Sequence, residues 1–126
     1  MNNIEGFDGH IERVDDLPVI YGMLRQMGVQ EVIDSVIEPH GNWQGLSPGW
    51  VVMIWLTHIL SEQNHLMEPV QQWVRQHLVT LRGLTHRSVT ELDFTDDRLA
   101  LCLLYLHHSS KWQEIESQLG ARTIYN

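Results

Sequence analysis

The stretch "LSPGWVVMIWLTHIL", from Leu46 to Leu60, constrains the fold of this chain more than any other. Ser47 is placed to cap a helix, and Pro48 suits the first helical position, where no amide donor is needed. Six apolar residues then run without a break from Val51 to Leu56. A helix with almost no polar face has to be wrapped by other elements rather than laid on a surface.

A second apolar run lies in "DFTDDRLALCLLYLHH". Thr95 takes the N-cap position there, and Asp96 and Asp97 fall in the first turn, where the helix dipole and free amides favour negative charge. Two adjacent acids also invite a metal-dependent reading. On a helix they diverge by about 100°, so they cannot easily hold one ion together, and the helix start is the better reading.

The segments around these two helices read as their jacket. In "DDLPVIYGMLRQMG" Leu17, Ile20, Leu24 and Met27 share one face, with acids and Pro18 at the start and Gly28 as the stop. Val32, Ile33, Val36 and Ile37 suggest a short second helix, ended by Pro39 and the turn-like "PHGNWQG". "MEPVQQWVRQHLVTLRG" carries Val70, Trp73, Val74, His77, Leu78 and Leu81 at helical spacing and predicts one helix ending at Gly83. Residues 84–93 read as a loop or short helical turn. "SSKWQEIESQLG" presents Trp112, Ile115 and Leu119 on one side and stops at Gly120. No strand alternation precedes the closing "ARTIYN". The expected fold is all-α: a single compact bundle of about six helices with two central apolar helices. The domain is expected over residues 15–121, after an N-terminal extension over 1–14 and before a tail over 122–126.

At 126 residues and 43% hydrophobic content the chain can bury a core without a metal or disulfide staple. Cys102, the only cysteine, sits inside an apolar run and suits packing as a small hydrophobe in a reducing compartment. The acidic start lacks the basic and apolar regions of an export signal. The longest apolar run, Leu99 to Leu106, is far short of the roughly 18 residues of a membrane span. A soluble, cytoplasmic protein without membrane contact is expected.

Charge is uneven. The net value is −8 with histidines neutral, and residues 1–62 hold nine acids against only Arg13 and Arg25. Between Glu68 and Glu91 no acid occurs, while Arg75, Arg82 and Arg87 do. As one helix, residues 70–82 would put Arg75 and Arg82 on one face, with Arg87 in the following loop. These three are the candidate DNA-phosphate contacts, against the competing reading of a solvated face in an acidic chain.

No motif for independent chemistry stands out. His58 and Glu62 have the four-residue spacing of helical metal ligands, but no third ligand is indicated, and no CxxC, HExxH or calcium-loop pattern occurs. Nothing resembles a nucleophile elbow or a phosphate-binding glycine loop. No cofactor, catalytic residue or small-molecule substrate is therefore expected. Of five tryptophans, Trp50, Trp55, Trp73 and Trp112 fall on apolar faces; Trp43, in a Gly/Pro-flanked loop, is the candidate for reaching a partner.

The order of these segments resembles the N-terminal helical domain of bacterial insertion-sequence transposases of the DDE type, related to the IS4-like superfamily. The resemblance rests on "VDDLPVIYGMLRQMGVQEVIDSVI", "LSPGWVVMIWLTHILSE", "MEPVQQWV", "DFTDDRLALCLLYLHH" and "WQEIESQLG", and spans about Val14 to Gly120. It implies that Asp96 and Asp97 match a helix-start pattern. It also implies that the carboxylates binding catalytic magnesium belong to a following RNase H-like domain, whose threshold would be "RTIYN". The chain is then expected to be non-catalytic, serving transposon-end DNA binding or subunit pairing. As a stand-alone product it would be an interaction module or inhibitor of full-length transposase. The partners so implied are a second copy, the full-length enzyme and transposon-end DNA.

Overall fold

The apolar helix around which the chain must organise runs Pro48–Glu62 in the computed structural model, which describes residues 16–39, 41–63, 69–107 and 109–125. Among these residues there are seven α-helices and no strand: α1 Leu17–Met27, α2 Val29–Val36, α3 Pro48–Glu62, α4 Val70–Gln76, α5 Leu78–Thr85, α6 Asp96–His107 and α7 Ser109–Tyr125. A 3-10 turn, Glu91–Phe94, precedes α6. The fold is an all-α bundle. The extension expected over residues 1–14 lies outside the described residues.

As its pattern requires, α3 is buried on most sides: Val51, Val52, Met53, Ile54 and Trp55 are all buried, and the helix packs against α1, α2, α4 and α6. Phe94 of the 3-10 turn and Leu99 and Cys102 of α6 complete the centre, each fully buried. The α7 helix lies across α2 and α6 and buries Ile115. Burying each such side chain contributes about 1.5–3 kcal/mol.

Local chemistry sets the helix ends. Gly28, at φ 76°, stops α1 in the left-handed conformation that costs glycine little, and α2 begins at once. Asp16 precedes α1, but its carboxylate does not cap that helix; it accepts the Ser61 hydroxyl at 2.8 Å.

Three boundaries differ from expectation. The single helix expected over 70–82 is broken at His77, which has φ −128° and ψ 23°. Its Nδ1 donates to the Trp73 carbonyl at 2.7 Å, taking the acceptor that its own amide would use in an α-helix, and that amide turns to the Val74 carbonyl. Gly83 does not end α5, which continues to Thr85 before His86 turns left-handed at φ 56°. Gly120 does not stop α7 either, so residues 122–125, expected as a tail, are helical.

Among the described residues no helix is long and apolar enough to cross a membrane.

Candidate interaction surfaces

Two carboxylates that the sequence reading passed over fix the turn between α2 and α3. Asp34, on α2, accepts the Gly49 amide at 2.8 Å and the Gln30 side-chain amide at 2.7 Å, and it also takes the Ser47 hydroxyl. The carboxylate thus supplements the cap at the start of α3, where Ser47 receives the Trp50 amide at 3.5 Å. Asp93, buried in the 3-10 turn, closes a capping box with Thr90 and accepts the Leu46 amide at 3.2 Å. Both carboxylates serve architecture.

Trp43, the candidate partner contact, is held within this turn. Its indole N–H donates to the Leu46 carbonyl at 2.7 Å, and the Arg98 guanidinium lies 4.2 Å from its ring centroid. Arg98 also donates to the Gln44 carbonyl at 2.6 Å, and the Tyr105 ring packs 6.0 Å from the Trp43 ring. Trp43 is half-buried and joins α6 to the α2–α3 turn.

At the start of α6 the Thr95 hydroxyl accepts the Arg98 amide at 3.2 Å, and the Thr95 carbonyl accepts the Leu99 amide. Asp96 and Asp97 stand exposed in the first turn. Among the described residues no group of three or more His, Cys, Asp or Glu side chains could hold a metal ion.

Each of the three candidate phosphate contacts has its own neighbour within the fold. Arg75, on α4, pairs with Glu91 at 2.7 Å, so the acid that ends the acid-free stretch folds back onto its first arginine. Arg82, on α5, donates to the Val89 carbonyl at 2.9 Å and ties down its own loop. Arg87 lies with its guanidinium 5.1 Å from the Trp50 ring centroid.

A different surface is conspicuous on α6 and α7. Leu103 is 46% exposed, Leu104 65% and Trp112 45%. Leu103, Leu106, His107, Trp112, Gln113 and Glu116 line an open groove of about 570 Å³ between the helices. The α6 helix, expected as a second central helix, thus exposes part of its apolar run. The available signal was excess: Leu99, Cys102 and Leu106 already form a burying stripe, and Leu103 and Leu104 fall outside it.

Behind α4, His58 is buried, with its ring edge-on to Trp73 at 4.9 Å, and Trp73 stacks on His77 at 4.6 Å. Burial lowers the His58 pKa below its ordinary value, Glu62 acts against this, and His77 adds to it. The His58 Nδ1 and the indole N–H groups of Trp55 and Trp73 are buried without a hydrogen-bond partner among the described residues. On α6, burial pushes the Cys102 thiol up to about 12.

Among curated proteins and among solved structures, no significant match to the chain is found. One family model does match, over residues 9–115, from the extension preceding α1 to the middle of α7: the domain of unknown function DUF4277. With most of its length covered by that match, the chain belongs to the DUF4277 family.

Proposed function

We propose that this domain is a non-catalytic accessory module of an insertion-sequence transposase that works by pairing subunits. Transposition joins two ends, so an enzyme of that type needs paired copies. The observation that carries the reading is the exposed apolar surface of α6 and α7, where Leu103 and Trp112 line a groove and Leu104, next to Leu103 in sequence, is exposed as well. Aromatic residues are enriched at interface cores and charged ones depleted. Across a two-fold axis the same face would meet itself. A chain holding this surface without a catalytic domain would also form mixed pairs with full-length transposase and inhibit it.

The DNA-binding reading through Arg75, Arg82 and Arg87 has less support, since the first two already serve acceptors within the fold. Magnesium chemistry in this reading belongs to another domain, and the isolated chain is expected to leave transposon-end DNA uncut with magnesium or manganese present.

Crosslinking tests the pairing face. A Leu104→Cys chain treated with a short bis-maleimide should give a covalent dimer under native conditions. Reaction of the new thiol without any dimer would contradict the reading.

A further inference from the structure

The corner between α4 and α5 is held by side chains rather than by glycine or proline. The His77 Nδ1 donates to the Trp73 carbonyl at 2.7 Å, and the His77 amide turns to the Val74 carbonyl three residues back. Such a bond in the middle of a helical stretch often marks a hinge. The rings repeat the link: His77 stacks on Trp73 with centroids 4.6 Å apart, and His58 of α3 meets Trp73 edge-on at 4.9 Å. One indole therefore ties the corner to the apolar centre of the bundle. Beyond the corner, α5 has α4 as its main neighbour, so its position depends on that link.

Of the two imidazoles, His58 is the one poorly placed to hold a proton. It is only 2% exposed, and its Nδ1 has no hydrogen-bond partner among the described residues. In an imidazolium both nitrogens carry protons, so Nδ1 would become a buried donor without an acceptor, which is costly. A proton on His77 would go to Nε2 and leave its bond to the Trp73 carbonyl in place. An acceptor for His58 stands four residues on along α3: Glu62, exposed at a cleft of about 450 Å³ that Trp73, His77 and Asp16 also line. The other titratable groups around α3 are engaged or neutral. Asp16 already accepts the Ser61 hydroxyl, Asp34 binds the opposite end of α3 at Gly49, and burial pushes Tyr21 and Cys102 upward, so both stay protonated near neutral pH. His65 and Glu68, between α3 and α4, lie outside the described residues.

We infer that His58, Trp73 and His77 form an acid-sensitive hinge, in which a proton on His58 breaks the ring stack and frees the α4–α5 corner. The imidazolium turns toward Glu62, Trp73 loses its edge-on neighbour, and the His77 ring leaves the Trp73 carbonyl. The His77 amide then takes that carbonyl, as in a continuous α-helix. Burial lowers the His58 pKa, Glu62 opposes this and His77 adds to it, so the open corner, where His58 meets water, binds the proton more readily than the closed one. The corner is closed above about pH 6.5 and opens as pH falls from there toward the folded value. The hinge shares no residue with the α6–α7 groove and stands whether or not that groove pairs subunits.

Nuclear magnetic resonance of the folded chain from about pH 8 to about pH 5, the span of histidine titration, tests the hinge. The His58 Cε1–H resonance, assigned by His58→Phe, should titrate with a midpoint below the ordinary value of about 6.5. The Trp73 indole N–H and the amides of residues 77–85 should shift with that same midpoint. Hydrogen-exchange protection over residues 78–85, corrected for the intrinsic pH dependence of exchange, should fall by at least about tenfold, while that of residues 51–56 in α3 stays within about twofold. His58→Phe keeps a ring beside Trp73 and removes the proton site, so the loss over α5 should vanish. His77→Phe keeps the stack and removes the donor to the Trp73 carbonyl, so residues 74–78 should show helical chemical shifts at every pH. If His58→Phe does not fold, the match of midpoints in the parent decides. Titration of His58 without change at residues 77–85, loss of protection in α3 and α5 together, or an α5 loss that persists in His58→Phe overturns the hinge.

Discussion

Asp34 Oδ1 accepts the backbone N–H of Gly49 at 2.8 Å, so a carboxylate on α2 binds the first turn of α3 fifteen residues later. Ser47 and Gln30 donate to the other carboxylate oxygen, so Asp34→Ala removes an acceptor from three groups. A single N-cap is worth about 1 kcal/mol, and charged acceptors about 1.5–3. Asp34→Ala should therefore lower stability by about 2–3 kcal/mol in urea unfolding, and a midpoint equal to the parent's would count against this linkage.

The same contact sets Gly49. A Cβ there would stand 2.5 Å from both the Asp34 carboxylate and the Gln30 carbonyl oxygen. Because one of these is backbone, the neighbour cannot simply rotate away. Gly49→Ala should cost about 1–3 kcal/mol, whereas Gly22→Ala, where a Cβ meets nothing within 4 Å, should be neutral or stabilising, since alanine favours helix. Thermal melts of the two variants make the comparison.

Thr95→Ala should cost about 1 kcal/mol, because the hydroxyl accepts the Arg98 amide. Asp96→Asn and Asp97→Asn should each cost about 0.3–1 kcal/mol through the helix dipole, with the loss smaller in high salt. A salt-independent loss would point to some other role for the pair.

How far the sequence carried depends on the range of each interaction. Ser47, Pro48, Gly28 and Thr95 act on residues within a turn, and the structure places them at helix ends as local pattern suggests. Asp93 receives the Leu46 amide from 47 positions away, and Glu91 reaches back sixteen to Arg75. Such partners depend on packing that no local pattern reveals. The break at His77 was hidden for a different reason: neither glycine nor proline marks it, and it arises when the imidazole captures the Trp73 carbonyl. The α6–α7 groove was missed because the apolar run shows hydrophobicity without showing which sides have neighbours.

Acid should weaken the fold through His58. Its folded pKa is held below the ordinary 6.5 by burial, with Glu62 opposing, so the unfolded chain binds the proton more readily. Stability is full above about 6.5 and falls as pH drops from there toward the folded value. The proton would have to be taken up beside Trp73 and His77. In His58→Leu the decline over that window should shrink, whatever the variant's overall stability; an unchanged slope in pH-dependent unfolding would assign the effect elsewhere.

Cys102 should resist alkylation in the folded chain. Its thiol is fully buried and pushed up to about 12 by burial, so at neutral pH it offers neither access nor thiolate. Iodoacetamide labelling should proceed at the rate of opening and accelerate through the urea transition. Rapid labelling under native conditions would contradict the packing of α6 on α3.

The central claim is that the exposed face of α6 and α7 pairs two copies. Light scattering across a concentration series measures it directly. The parent chain should rise from 14.7 kDa toward twice that mass, and Leu104→Glu, which places a charge where Leu104 is 65% exposed, should remain at the lower value while keeping its helical spectrum. A parent mass that stays monomeric up to about 1 mM, the weak end of the affinity scale, would contradict the pairing account.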